Sequence, residues 1–247
     1  MIKILLTGYN GAMGETVLNN LPQDMKVVSG ISQHLDQRDF ETNTNLSDVK
    51  EAFDVILDFS HVSFLDEVLD FAQANKKPLV IASTGITEKL HNKIDAYAKE
   101  IPIVQAGNYS LGVYALNEAI RKVHHILDDY DVEILEKHHR YKKDAPSGTA
   151  EMMFETLQES NDALYLTYGR QGQSDAKDKN EVGMHSLRSG TIVGEHSILF
   201  AGEDEVLEIK HTASSKTIFA MGAFKALRYV LNKDKGRYTL KDVVENA

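Results

Sequence analysis

The chain has 247 residues, 42% hydrophobic and 26% charged, with 27 basic against 37 acidic side chains and a formal net charge of −10. This is the balance of a globular protein, and its acidity argues against a nucleic-acid partner, which calls for a basic domain or patch. No cysteine is present, which excludes disulfide scaffolds, thiolate metal sites and thiol nucleophiles. No apolar run approaches a membrane span, so neither membrane nor leader is expected and the setting is read as cytoplasmic.

Ile2–Thr7 is a short, nearly continuous apolar run, the pattern of a buried parallel strand. It leads into Gly8-Tyr9-Asn10-Gly11-Ala12-Met13-Gly14, after which Val17, Leu18 and Leu21 recur at helical spacing. Strand, glycine turn and helix form the context of a dinucleotide-binding loop, where glycines let the backbone approach a pyrophosphate. The spacing departs from G-x-G-x-x-G because Tyr9 occupies the first glycine position, so a plain tight turn is the competing reading.

Lys26–Ser32 reads as a second strand. An acidic residue near its end would bind the ribose hydroxyls, but Gln33 and His34 stand there and the first acid is Asp36. NADPH is therefore permitted beside NADH, and Arg38 is either a helper or a surface residue. Further strands are expected at Asp54–Ser60, Pro78–Ala82 and Ile103–Gln105, with helices over about 63–75 and 87–100. The loops Ala82-Ser83-Thr84 and Ala106-Gly107-Asn108-Tyr109 follow the last two of these strands. Alternating strands and helices imply a parallel sheet covered on both faces, with ligands at the carboxyl ends of its strands.

A helix over about 113–127 ends with His124 and His125, which point apart on a helix and suit its C-terminal dipole better than a metal. None of the ten histidines shows convincing ligand spacing, and no metal is expected. Val132, Ile134 and Glu136 alternate as a strand end, and His138-His139-Arg140-Tyr141-Lys142-Lys143 follows. His138 and Lys142 are four apart, a spacing that shares a face on either a helix or a strand. A group titrating near neutrality beside a fixed positive charge suits acid catalysis next to an anion. Pro146-Ser147-Gly148-Thr149 then opens a helix over about 150–159 whose free backbone N–H groups suit a carboxylate or a phosphate. The bland alternative is a solvated basic face followed by an ordinary cap.

Residues 169–183 read as a long mobile polar loop. His185–Phe200 and Val206–His211 read as antiparallel strands joined by 201–205, and Ile218–Leu231 reads as a final helix. The expected fold is α/β: a Rossmann-like doubly wound parallel sheet over 1–109 and 216–247, plus an α+β domain with an open mixed sheet over 110–215. One face of that second sheet would cover substrate and the other would meet another subunit. Hinges are expected near Tyr109–Ser110 and Ser214–Lys216.

The run His-His-x-x-Lys-x-Asp-Ala-Pro-Ser-Gly-Thr-Ala over 138–150 resembles the signature of the 4-hydroxy-tetrahydrodipicolinate reductases, the dihydrodipicolinate reductases of bacterial lysine biosynthesis. Gly8-x-x-Gly11-x-Met13-Gly14, the strand end Asp58-Phe59-Ser60, Arg188–His196 and His211–Lys216 are similar to the same family, so the resemblance runs from residue 2 to about 230. It implies reduction of a ring dicarboxylate by NADH or NADPH with loss of water, in a homotetramer. By this resemblance His138 is the proton donor or acceptor and Lys142 a second donor. His139, Ser147, Gly148 and Thr149 would bind substrate, as would Lys216, which stands where some relatives carry arginine. Gly8, Tyr9, Asn10, Gly11, Ala12 and Met13 would bind the cofactor together with Ala82–Thr84 and Ala106–Tyr109. An amino-acid dehydrogenase would share the N-terminal half but has no reason to carry Asp144–Thr149. A redox-sensing module would leave His138 and Lys142 as surface charge.

Overall fold

The computed structural model describes every residue except Ser174 and Ala247; Ser174, within the expected mobile loop, and Ala247, within the expected first domain, lie outside the described residues. The chain divides into two compact units, Met1–Leu111 with Lys216–Ala247 and Gly112–Ser215. In chain order the first part comprises β1 (Ile2–Thr7), α1 (Ala12–Leu18), β2 (Met25–Ile31), β3 (Glu41–Asn43), β4 (Val55–Asp58), α2 (Leu65–Ala74), β5 (Leu79–Ile81), α3 (Glu88–Tyr97) and β6 (Pro102–Gln105). Then come α4 (Leu111–Ile126), β7 (Asp131–His138), α5 (Gly148–Gln158), β8 (Tyr165–Tyr168), β9 (Glu181–Arg188), β10 (Gly194–Ala201) and β11 (Val206–Ala213). The chain closes with α6 (Thr217–Val230), β12 (Gly236–Tyr238) and α7 (Leu240–Glu245).

The first unit is built on a seven-stranded sheet in the order β12-β6-β5-β4-β1-β2-β3, and every pairing in it is parallel. Ile4, Leu5 and Leu6 are consecutive and all fully buried. Successive side chains of a strand point to opposite faces, so both faces are covered. One core joins Leu5, Ile56, Leu79, Ile81 and Ile103 to Leu65, Val68 and Leu69 of α2 and Ile94 of α3; α6 packs on β4, β5 and β6. The strand order reverses between β1 and β4, which makes that point the ligand crevice of a doubly wound sheet.

The second unit has a five-stranded sheet ordered β11-β10-β7-β9-β8. It is mixed: β7 runs parallel to β9 and antiparallel to β10. The helices α4 and α5 supply Leu116, Ile120, Met153, Phe154 and Leu157 to a core with Val132, Ile134 and Ile198. The opposite face carries Leu135 and Leu199, half-buried, and the exposed Leu187 and Val206.

Several expectations require correction. The run His185–Phe200 is two strands, β9 and β10, separated at Ser189–Val193; β10 forms the expected antiparallel pair with β11, whereas β9 pairs in parallel with β7. The polar stretch expected to remain a loop to 183 enters β9 at Glu181. It is also tied down, because Lys177 Nζ donates to Glu133 Oε1 at 2.7 Å. Strands β3, β8 and β12 have three or four residues, too few for a period-2 pattern to stand out. They exist because a neighbouring strand supplies their hydrogen bonds.

Candidate active site

In the first unit, the turn after β1 is shaped by close backbone approach. Gly8 has φ +75°, and a Cβ there would lie 2.6 Å from the Phe59 carbonyl oxygen. At Gly14 a Cβ would lie 2.3 Å from the carbonyl oxygens of both Gly8 and Tyr9. Only glycine permits this packing, which brings α1 down onto the loop. Gly8 N donates to Ile31 O at 2.8 Å, and Gly11 N to Gly8 O at 3.1 Å. Gly8, Asn10 and Gly11 line a cleft of about 280 Å³ with Ser32, Gln33 and His34 after β2 and Phe59–His61 after β4. Asn10 fixes the β2 side, its side chain donating to His34 O and accepting from Ser32 Oγ.

The β4 side is organised by Asp58, fully buried at its strand end. It accepts from Thr7 at the end of β1, from Ser60 and from Ser83 after β5. One carboxylate therefore gathers the carboxyl ends of three adjacent strands. A buried ion needs such donors to remain tolerable.

The expected cofactor residues occupy different settings. Gly8, Asn10 and Gly11 line the cleft, and Ala12 and Met13 begin α1, whose first N–H groups lack helical partners. The Tyr9 side chain is turned into the core, edge-on to Phe40, and leaves only its backbone in the loop. Ser83 spends its hydroxyl on Asp58, while Ala82 is half-buried and Thr84 exposed. Tyr109 is buried and donates to Ile81 O at 2.9 Å. Asn108 accepts from Ser110 N at 2.8 Å, and Ala106 and Gly107 form the rest of that turn. Arg38 is paired with Glu15 and Asp36.

In the second unit, His138 ends β7 and the chain then turns, Lys142 N donating to His139 O at 3.1 Å. The helix-or-strand argument for His138 and Lys142 therefore fails in its geometry, since the four residues span a turn. Lys142 nevertheless stays close enough for its charge to act on His138, and its Nζ donates to Asp144 Oδ2 at 2.6 Å. His139 is half-buried and lies beside the Tyr141 ring, 6.1 Å between centroids.

Beneath His138 lies a set of groups that sequence reading did not single out for a role. Glu136 is fully buried. Its Oε1 accepts from Arg188 Nη2 at 2.7 Å, and its Oε2 from Arg188 Nη1 at 2.9 Å. His138 Nδ1 lies 2.6 Å from the same Oε2. Arg188 Nη2 also donates to Asp144 O at 2.8 Å, tying this pair to the turn that carries Lys142. Next to His138 stands His196, its ring edge-on with centroids 5.2 Å apart. His196 Nε2 in turn lies 2.8 Å from Ser147 Oγ. Ser147 caps α5 by accepting from Ala150 N. It follows the cis Ala145–Pro146 bond, and the Gly148 and Thr149 N–H groups open the helix after it. Lys216, by contrast, belongs to the first unit, exposed just before α6.

The electrostatics follow from burial. Burial lowers the pKa of His138, Lys142 and Arg188 add to the fall, and Glu136 opposes it. Burial likewise takes His196 down to about 4, so it is neutral at physiological pH. For Glu136 burial is the largest influence and raises the pKa, but hydrogen bonds from Arg188, Ser186 and His138 outweigh it and hold the carboxyl below its ordinary value. The signal for Glu136 was available in the strand alternation, since it lies two residues from His138 on the same face. Arg188 and His196 came into reach only through cross-strand register: Arg188 pairs with His138 and His196 with Glu136. His124 is buried with Nδ1 2.7 Å from Ser160 Oγ, and burial lowers its pKa, so packing rather than the helix dipole accounts for it. No cluster suited to a metal ion occurs among the described residues.

Comparison with known proteins identifies the family. The family models described as dihydrodipicolinate reductase, N-terminus and C-terminus, match residues 2–109 and 112–244. The chain is 38% identical over 250 residues to the 4-hydroxy-tetrahydrodipicolinate reductase of Caldanaerobacter subterraneus subsp. tengcongensis, covering 100% of both chains. It is 40% identical over 249 residues to that of Clostridium botulinum, covering 99% of this chain and 98% of the relative. Among solved structures, a dipicolinate-bound dihydrodipicolinate reductase from Paenisporosarcina sp. superimposes with a TM-score of 0.77 at 22% identity, covering 97% of each chain. An amine dehydrogenase from Mycobacterium smegmatis shares the fold at a TM-score of 0.65 and 12% identity, over 97% of this chain and 95% of that one.

Proposed function

Because the chain belongs to the dihydrodipicolinate reductase family, we propose that it reduces 4-hydroxy-tetrahydrodipicolinate to tetrahydrodipicolinate, with loss of water, using NADH or NADPH. The observation that carries this reading is the grouping of a proton-handling residue, a cation and a carboxylate cradle within one unit. His138 rests on Glu136, feels Lys142, and is linked through His196 to Ser147 at the start of α5.

The first unit fits a nicotinamide dinucleotide: the cleft at the strand-order reversal is lined by glycines at which a Cβ is excluded or tightly placed. When bound, the nicotinamide supplies a hydride. The overall change consumes one further proton and releases the ring hydroxyl as water. His138 Nε2 gives that proton, since Nδ1 is engaged by Glu136. Lys142 holds negative charge nearby and serves as second donor. His139, Ser147, Gly148 and Thr149 bind the dicarboxylate, the last two through N–H groups whose partial positive charge favours an anion. Lys216 is assigned to the substrate on resemblance alone. In this reading residues 1–109 and 216–247 form the cofactor domain and 110–215 the substrate and assembly domain of a cytoplasmic homotetramer.

Both cofactors are accepted. No carboxylate at Gln33 or His34 repels a 2′-phosphate, and the Arg38 guanidinium is already engaged by Glu15 and Asp36 rather than free to select one. The test is loss of reduced-nicotinamide absorbance with each cofactor, substrate being made in situ from pyruvate and aspartate semialdehyde by the preceding synthase. Oxidation that depends on the synthase product is expected with both. Binding of both without oxidation would move the amino-acid dehydrogenase reading ahead.

A further inference from the structure

A buried carboxylate with no function is an unfavourable choice, since hydrophobic replacement of a buried ion pair is often neutral or stabilising. Glu136 is fully buried on β7, the central strand of the second sheet, yet it is held as an ion by the two terminal guanidinium nitrogens of Arg188. Ser186 also hydrogen-bonds to it, and its Oε2 lies 2.6 Å from His138 Nδ1. The arrangement follows from strand geometry: Glu136 and His138 share a face of β7, and parallel pairing sets Arg188 beside His138. The space around the other ring nitrogen is also kept clear, because at Gly194 a Cβ would stand 3.1 Å from His138 Nε2.

We infer that Glu136, clamped by Arg188, is the positioning residue for His138: it holds the Nδ1–H tautomer and leaves Nε2 as the nitrogen that exchanges the proton. A carboxylate accepts and cannot donate, so the neutral ring must carry its hydrogen on Nδ1. The same anion stabilises the imidazolium while Nε2 carries its proton. The other charged or titratable groups facing His138 are Lys142 on the turn, Arg188 on β9 and His196 on β10. The two cations oppose protonation, His196 is neutral, and Asp144 is occupied by Lys142. Glu136 is thus the anion that keeps His138 usable as an acid. Arg188 has a second task, since its bond to Asp144 O ties the Lys142 turn to the same carboxylate.

This inference rests on the reading of His138 as proton donor, and the experiment separates the two. Glu136→Gln keeps shape and removes charge. Its kcat is expected to fall roughly tenfold to a hundredfold, less than the ~10²–10⁴-fold supplied by a general acid itself, with cofactor binding measured by nicotinamide fluorescence unchanged. The alkaline limb of its kcat/KM profile moves to lower pH, because a donor with a lower pKa loses its proton sooner. Nitrogen-15 spectra of labelled histidine, with His138 assigned by its loss in His138→Ala, are expected to show a lower titration midpoint and a mixed tautomer. Should Glu136→Gln not fold, Arg188→Lys keeps the carboxylate with one point charge and is expected to shift the same midpoint by a smaller amount. An unchanged tautomer and midpoint in the folded Gln or Lys variant overturns the inference, even if turnover falls. Full turnover in His138→Ala would instead overturn the proton-donor reading beneath it.

Discussion

At the scale of single residues, the chemistry of the second unit is a matter of which nitrogens remain available. His138 Nδ1 is committed to Glu136 and His196 Nε2 to Ser147. Lys142 and His138 are assigned to the proton and the substrate anion, whereas the cofactor is assigned to the glycine cleft of the first unit. His138→Ala and Lys142→Ala are accordingly expected to lose most turnover, by 10²-fold or more, with NADH affinity nearly unchanged. Equal loss of cofactor binding, measured by fluorescence titration, would contradict that assignment.

Burial of histidines also gives stability a pH dependence. His196 is depressed to about 4 in the fold and titrates near 6.5 when unfolded. Its contribution is therefore fully present above pH 6.5 and is lost as pH falls, because the unfolded chain takes up a proton that the folded one refuses. Burial lowers His138, His124 and His211 in the same direction. Urea denaturation between pH 6.5 and 5 should show stability falling, with up to about 2 kcal/mol of the loss due to His196. A His196→Asn variant should show a shallower slope over that window; an unchanged slope would mean His196 is not buried neutral.

At the scale of elements, one serine joins two roles. Ser147 caps α5 and is the partner of a buried histidine. Losing a helix cap costs about 1 kcal/mol, and an unpaired buried imidazole nitrogen adds about 1–3 kcal/mol. Ser147→Ala should therefore destabilise by about 2–4 kcal/mol in denaturant titration, and a double-mutant cycle with His196→Asn should show strong coupling. The cap was legible in Pro-Ser-Gly-Thr because capping is local chemistry. Its partner was not, since His196 lies 49 residues away on β10. Glu136 shows the intermediate case: alternation marked its face, while nothing in the alternation identified the guanidinium that makes its burial possible.

At the scale of the whole molecule, the two helices of the second unit pack on the same face of its sheet. α4 and α5 cover the face bearing Val132, Ile134 and Ile198, while Leu135 and Leu199 on the other remain half-buried and Leu187 and Val206 exposed. The latter is the face proposed to meet the other subunits of the tetramer. Light scattering is expected to give the mass of four 27.6 kDa chains. Leu199→Arg should lower that mass without impairing NADH binding, and an unaltered mass would place the interface elsewhere.

What the sequence by itself determined were the features written over a few consecutive residues. The apolar run of β1 with its glycine turn, the alternation that makes the first sheet parallel, the cap of α5 and the His138–Thr149 signature all belong here. Local periodicity, propensity and turn chemistry act over those distances. Only the tertiary structure decided that Tyr9 is core, that Arg38 is spent on Glu15 and Asp36, and that β9 pairs in parallel with β7. It also decided that Arg188 and His196 meet Glu136, His138 and Ser147. Those outcomes depend on strand register, and a slip of one residue would send every side chain concerned to the opposite face of the sheet.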